Sequence, residues 1–207
     1  NIRKVRRKHL GPMPAFNALG AAAFSLRRFD TTDRIKRTHR ILQMETRLFG
    51  RSGLKLSVLG FGWGAVGGLM VRGSQADQER AFARAIDAGI NYFDTAAQYG
   101  DGVSEQTLGR LYREFKPRNF IYGTKVRVPK TDNIRATIVS LVDASLKRLG
   151  LERADILHLH NPITKDGAGN FLTSDQVLQD VVPTFETLRQ QGKIGVLGFT
   201  AIGDTPD

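Results

Sequence analysis

A strand-and-helix unit that recurs about every 30 to 40 residues constrains this chain more than any other feature. Apolar runs that read as strands lie at Ser57–Phe61, Ile90–Asp94, Phe120–Thr124, Asp155–His160 and Gly195–Phe199. Helical segments fall between them. In Asp77–Ala88, Phe82, Ala85 and Ile86 share a face, Ser74 and Asp77 form a capping-box pattern, and Gly89 is the stop. Ser104–Phe115 places Leu108, Leu111, Tyr112 and Phe115 at helical spacing. Asn133–Leu149 does the same with Ile134, Ile138, Leu141, Val142 and Leu149, and Gly150 ends it. Pro183–Gln191 opens on proline and stops before Gly192. Ahead of these units, Thr46–Phe49 and Lys55–Ser57 flank Gly50-Arg51-Ser52-Gly53 and read as a hairpin.

Alternating strands and helices imply a parallel sheet covered by helices. An open doubly wound sheet and a closed eight-unit barrel both satisfy that pattern. The leading hairpin has no place in the open sheet but can plug the bottom of a barrel. A full barrel takes ~250 residues, and Met44 to Asp207 provides for about five of its eight strands. If the fold is the barrel, it is a (β/α)8 TIM barrel truncated after about the fifth strand, with an N-terminal hairpin. A chain of that extent is expected to be inactive by itself.

The net charge of +11 suggests a nucleic-acid partner until it is divided along the chain. Residues 1–43 hold 11 Lys and Arg against only Asp30 and Asp33, whereas residues 44–207 hold 20 against 18 acids. The excess belongs to the tail, so the globular part offers no basic surface and no nucleic-acid partner is expected. Residues 1–43 are expected to be a basic, disordered extension, and residues 44–207 a partial barrel. The tail's apolar run from Ala15 to Leu26 is broken by Asn17 and closed by Arg27-Arg28, which spoils a secretory signal. No run approaches the ~20 apolar residues of a membrane span, so no membrane association is expected. Cysteine is absent, which removes disulfides, thiolate metal sites and cysteine nucleophiles and fits a cytoplasmic location.

Three groups of residues could carry chemistry. Gly62-Trp63-Gly64-Ala65-Val66-Gly67 matches a dinucleotide-binding glycine pattern. The next helix cap is not until Ser74, so the motif reads instead as a loop of close backbone approach. His158 and His160 share a face at the end of a strand, as in metal-dependent barrel hydrolases. The other histidines, His9 and His39, lie in the tail, so no third ligand is at hand and no metal site is expected. The third group is Asp94, Tyr99, Lys125 and His160, each at or just beyond the end of a strand. In a barrel all four meet at the C-terminal rim, where an acid, a phenol, an ammonium and an imidazole make a proton-transfer constellation.

These residues also carry a family resemblance. Asn91-Tyr92-Phe93-Asp94-Thr95-Ala96-Ala97-Gln98-Tyr99-Gly100 resembles the Asp-Thr-Ala…Tyr-Gly signature of the aldo-keto reductases. Gly53-Leu54-Lys55-Leu56-Ser57 and Leu59-Gly60-Phe61-Gly62 are similar to their opening hairpin and first strand. Gly123-Thr124-Lys125, Asp155 to Pro162 and Gly192-Lys193-Ile194 follow in the family's order. The resemblance implies the truncated (β/α)8 barrel rather than the open sheet, and a nicotinamide-dependent oxidoreductase that interconverts an aldehyde or ketone and an alcohol, with NADP(H) ahead of NAD(H). It implies Tyr99 as general acid, Lys125 beside it favouring the phenolate, Asp94 orienting Lys125, and His160 binding the carbonyl oxygen. Gly62, Trp63, Asp94 and Thr200 are implied at the cofactor, and Trp63 could also wall the substrate pocket. Ala201 stands where many members carry an asparagine that holds the nicotinamide amide. Two other functions fit the pattern: a non-catalytic nicotinamide-binding regulatory subunit of the same fold, and the His158/His160 metal hydrolase.

Overall fold

A computed structural model describes residues 44–64, 67–167 and 171–200. The extension expected over residues 1–43, and Ala201, lie outside the described residues. The first elements are β1 (Thr46–Leu48) and β2 (Lys55–Ser57), an antiparallel hairpin in register Thr46 to Ser57. Gly50 and Gly53 take positive φ in the connecting turn, as a tight hairpin requires.

Five parallel strands follow in chain order, β3 (Phe61–Gly62), β4 (Tyr92–Asp94), β5 (Ile121–Val126), β6 (Ala154–Leu159) and β7 (Ile194–Phe199). Between them run α1 (Leu69–Arg72), α2 (Gln75–Asp87), α3 (Val103–Phe115) and α4 (Ile134–Leu149). The last crossover contains α5 (Ser174–Gln176), a π-helical turn (Val177–Val181) and α6 (Val182–Gln190). Sequential neighbours pairing in parallel without reversal is the strand order of a barrel wall. It is not the order of a doubly wound sheet, which turns back at a switch point.

The apolar faces read from the sequence are the buried ones. Phe82, Leu108, Leu111, Ile138, Leu149 and Leu188 pack from the helices onto Phe93, Leu157 and Leu159 of the strands. Each such side chain contributes roughly 1.5–3 kcal/mol by leaving water. Ser74 caps α2 by accepting the Asp77 N–H, but its hydroxyl donates to the Asp77 carboxylate, so only half of the capping box forms.

Two expectations need correction. The strand read over Ser57–Phe61 is only Phe61–Gly62. Ser57 is claimed by the hairpin and by Asn91, which accepts the Ser57 N–H, and Val58 and Leu59 are exposed. The helix read from Pro183 begins earlier, at the Thr173–Gln176 capping box, and continues through the π turn. Pro183 has no N–H to give to that turn. The Gln179 carbonyl is taken instead by Arg135 of α4, at 2.6 Å.

Candidate active site

The strand register builds the site. Asp94, at the end of β4, lies level with Gly62 of β3 and Gly123 of β5. One inward-facing position further along, Lys125 of β5 lies level with His158 of β6, which pairs with Gly198 of β7. Gly123 keeps space clear: a Cβ there would stand 2.8 Å from the Tyr92 hydroxyl. That space admits the Tyr92 phenol, which donates to Asp94 Oδ1 at 3.2 Å. Burial, and next the Asp94 carboxylate, push the Tyr92 phenol well above its ordinary range, so it stays a donor.

Lys125 is 6% exposed, and a buried ammonium is costly unless its protons are satisfied. Its three donors find Asp94 Oδ2 at 2.5 Å, the Thr95 carbonyl at 2.9 Å and the Tyr99 hydroxyl at 3.4 Å. The loop that carries Tyr99 is tied at both ends. Its N–H reaches the Ala96 carbonyl, and its own carbonyl accepts from Ser104 at the start of α3. Because the Tyr99 oxygen accepts from Lys125, its own proton is free to be donated outward.

His160 follows β6. Its backbone N–H bonds to the Val126 carbonyl, and its ring stands edge-on to Tyr99 with centroids 6.1 Å apart. Nδ1 lies 3.0 Å from Gln98 Oε1. Burial first, and then the charges of Lys125 and Arg127, push this imidazole below its ordinary value, so it is neutral at neutral pH. The structure thus brings Asp94, Tyr99, Lys125 and His160 together, and adds Tyr92, the Thr95 carbonyl and Gln98, which the sequence reading did not single out. Tyr92 had a signal, being two residues before Asp94 on the same strand face. Gln98 lies in a loop with no period to reveal it.

The remaining residues are placed differently. The Trp63 ring is 1% exposed and packs edge-on to Phe61, Phe82 and Phe93. Gly62 has open space where a side chain would stand. Thr200, just past β7, gives both its N–H and its hydroxyl proton to the Leu159 carbonyl, which leaves its oxygen as an acceptor. His158 leans over Gly198, and its Nδ1 has no partner among the described residues. Among those residues no three His, Asp or Glu side chains group as metal ligands, and no helix is long and apolar enough to cross a membrane.

The sequence and fold both have relatives. The family model described as the Aldo/keto reductase family matches residues 58–204. An L-galactose dehydrogenase of Arabidopsis thaliana is 32% identical over 164 residues, covering 77% of this chain and 49% of the relative. An aldo-keto reductase of Bacillus halodurans, solved in its holo form, superposes with a TM-score of 0.63 at 28% identity, covering 77% of this chain and 51% of that one. An aldo-keto reductase of Klebsiella pneumoniae solved with NADPH gives 0.57 at 28% identity, covering 75% and 49%. These solved neighbours are (β/α)8 barrels, and the five parallel strands here are a truncated version of that wall. The chain spans about half the length of the curated relatives it matches. A matched domain over most of the described residues, together with the parallel strand order, establishes that the chain belongs to the aldo-keto reductase family.

Proposed function

We propose that the protein is an NAD(P)H-dependent oxidoreductase that interconverts a small aldehyde or ketone and its alcohol. The observation that carries this reading is the buried Lys125 ammonium bonded to Asp94 and to the Tyr99 hydroxyl. The residues present fit a nicotinamide cofactor. Gly62 leaves a cradle beside Asp94, and the Thr200 oxygen can accept an amide N–H at the same rim. NADP(H) is the form we favour, supported by the NADPH in the Klebsiella pneumoniae neighbour. Such a cofactor supplies the hydride for reduction and accepts it in oxidation.

The chain's own residues handle the proton and the oxygen. His160 holds the carbonyl oxygen by a ring N–H, and Tyr99 donates its hydroxyl proton to that oxygen. Lys125 stabilises the charge left on the Tyr99 oxygen, and Asp94 fixes the ammonium in place while Tyr92 fixes Asp94. In the alcohol-oxidising direction Tyr99 takes the proton back.

The test is turnover of the full-length gene product on a panel of aldehydes with NADPH, which also separates an enzyme from a non-catalytic cofactor-binding relative. Tyr99→Phe keeps the ring but removes the acid, so turnover is expected to fall by ~10²–10⁴-fold. Cofactor affinity, read by fluorescence, is expected to hold. Near-normal turnover in Tyr99→Phe removes the phenol from the mechanism.

A further inference from the structure

We propose that Gln98 is a positioning residue that sets the tautomer of His160, its carboxamide N–H donating to Nδ1 so that Nε2 carries the proton offered to substrate oxygen. The inference rests on the reductase reading above and concerns the same rim. A neutral imidazole has one N–H, and the partner of one nitrogen decides which nitrogen holds it. Gln98 is the partner of Nδ1, at 3.0 Å, and Nε2 makes no hydrogen bond among the described residues.

If the carboxamide oxygen stays toward Nδ1, that nitrogen must be protonated. Nε2 then presents a lone pair, and a lone pair facing a carbonyl oxygen repels it. Rotating the carboxamide by half a turn puts its NH2 on Nδ1 and moves the ring proton to Nε2. The rotation breaks nothing else, because Gln98 is exposed and its side chain makes no other hydrogen bond among the described residues. A carboxylate at this position could only accept and would lock the wrong tautomer. An apolar side chain would leave the ring unguided.

The charged and titratable groups around the ring come from every neighbouring element: Asp94 from β4, Lys125 and Arg127 from β5 and just beyond it, His158 from β6, and Tyr99 from the loop. All are untouched by a change at residue 98. A difference between variants therefore reports on the carboxamide.

The experiment is nitrogen NMR of the histidine rings in the 15N-labelled full-length protein near pH 7.5, with the His160 signal assigned by its loss in His160→Asn. Wild type is expected in the Nε2–H form. Gln98→Glu is expected to move His160 to Nδ1–H or to imidazolium, and to make kcat for aldehyde reduction fall as pH rises, since donation at Nε2 then needs the extra proton. Gln98→Met is expected to mix the two forms and lower kcat about 3- to 10-fold, the loss of one neutral hydrogen bond, without changing the shape of the pH profile. An Nδ1–H signal in wild type, or an unchanged signal in Gln98→Glu, overturns the proposal. Neither NMR result needs turnover. A correct tautomer with no reduction of any aldehyde removes the reductase reading alone, and a wrong tautomer with the Tyr99→Phe loss intact removes this inference alone.

Discussion

At the scale of single residues, Lys125 organises the rim because burial leaves it no alternative. An ammonium 6% exposed must place each proton, and its three partners come from β4, the turn after it and the Tyr99 loop. The histidines on β6 and just past it show the opposite response to burial, remaining neutral. Desolvation is the largest cause of the downward shift at both His158 and His160, from an ordinary value of 6.5. The unfolded chain binds protons at these rings before the folded one does. Their stabilising contribution is therefore complete above about pH 6.5 and is lost as pH falls through the folded values. Melting temperature is expected to drop from about pH 7 to about pH 5, and His158→Gln is expected to flatten that slope. An unchanged slope in the variant would place the pH sensitivity elsewhere. What the sequence revealed at this scale was governed by period. Asp94, Lys125 and His160 stand at or next to strand ends, where position implies a rim. The inward turn of Trp63 depends on Phe61, Phe82 and Phe93 converging from three elements, which no local pattern records.

At the scale of elements, the helices were legible because their apolar faces repeat, and contacts between backbones were not. Gly109 sits within α3 where that helix crosses the end of α4. A Cβ there would lie 2.0 Å from the Leu149 carbonyl oxygen, and backbone cannot swing aside as a side chain can. Nothing in the helical periodicity of Ser104–Phe115 marks that position. The same crossing is held by Glu105, fully buried, which accepts from Arg148 Nε at 2.6 Å and from Thr124 Oγ1 at 2.6 Å. Thr124 precedes Lys125, so the crossing is one residue from the rim. Gly109→Ala is expected to cost about 1–3 kcal/mol in denaturant unfolding, against nearly nothing for Gln106→Ala on the exposed face of the same helix. Equal stability of the two variants would mean that α3 and α4 can separate freely. The π turn before α6 was illegible for a related reason. Its capping box at Thr173 and Gln176 was present in the sequence, but Pro183 drew the helix start nine residues past Ser174.

At the scale of the whole described sheet, its outer strands decide behaviour. Among the described residues β3 pairs only with β4, and β7 only with β6. Beside β7 an apolar groove of about 260 Å³ is lined by Leu159, Val177, Val181, Phe185, Leu197 and Phe199, with Phe199 61% exposed and Leu178 nearby at 65%. An unpaired strand edge offers a row of free N–H and C=O groups, and an apolar flank beside it makes that edge adhesive. The charge of the partial barrel is close to balance, so repulsion between copies does little to keep these edges apart. Residues 44–207 produced alone are therefore expected to self-associate at micromolar concentration, read by sedimentation velocity. Phe199→Lys and Leu178→Lys place charge on the β7 flank without touching Asp94, Tyr99, Lys125 or His160. The double variant is expected to shift the distribution toward monomer while leaving the helical circular dichroism unchanged. A wild-type chain that sediments as a clean monomer would mean that the edge is already covered, and the exposed Phe199 and Leu178 would then need another explanation.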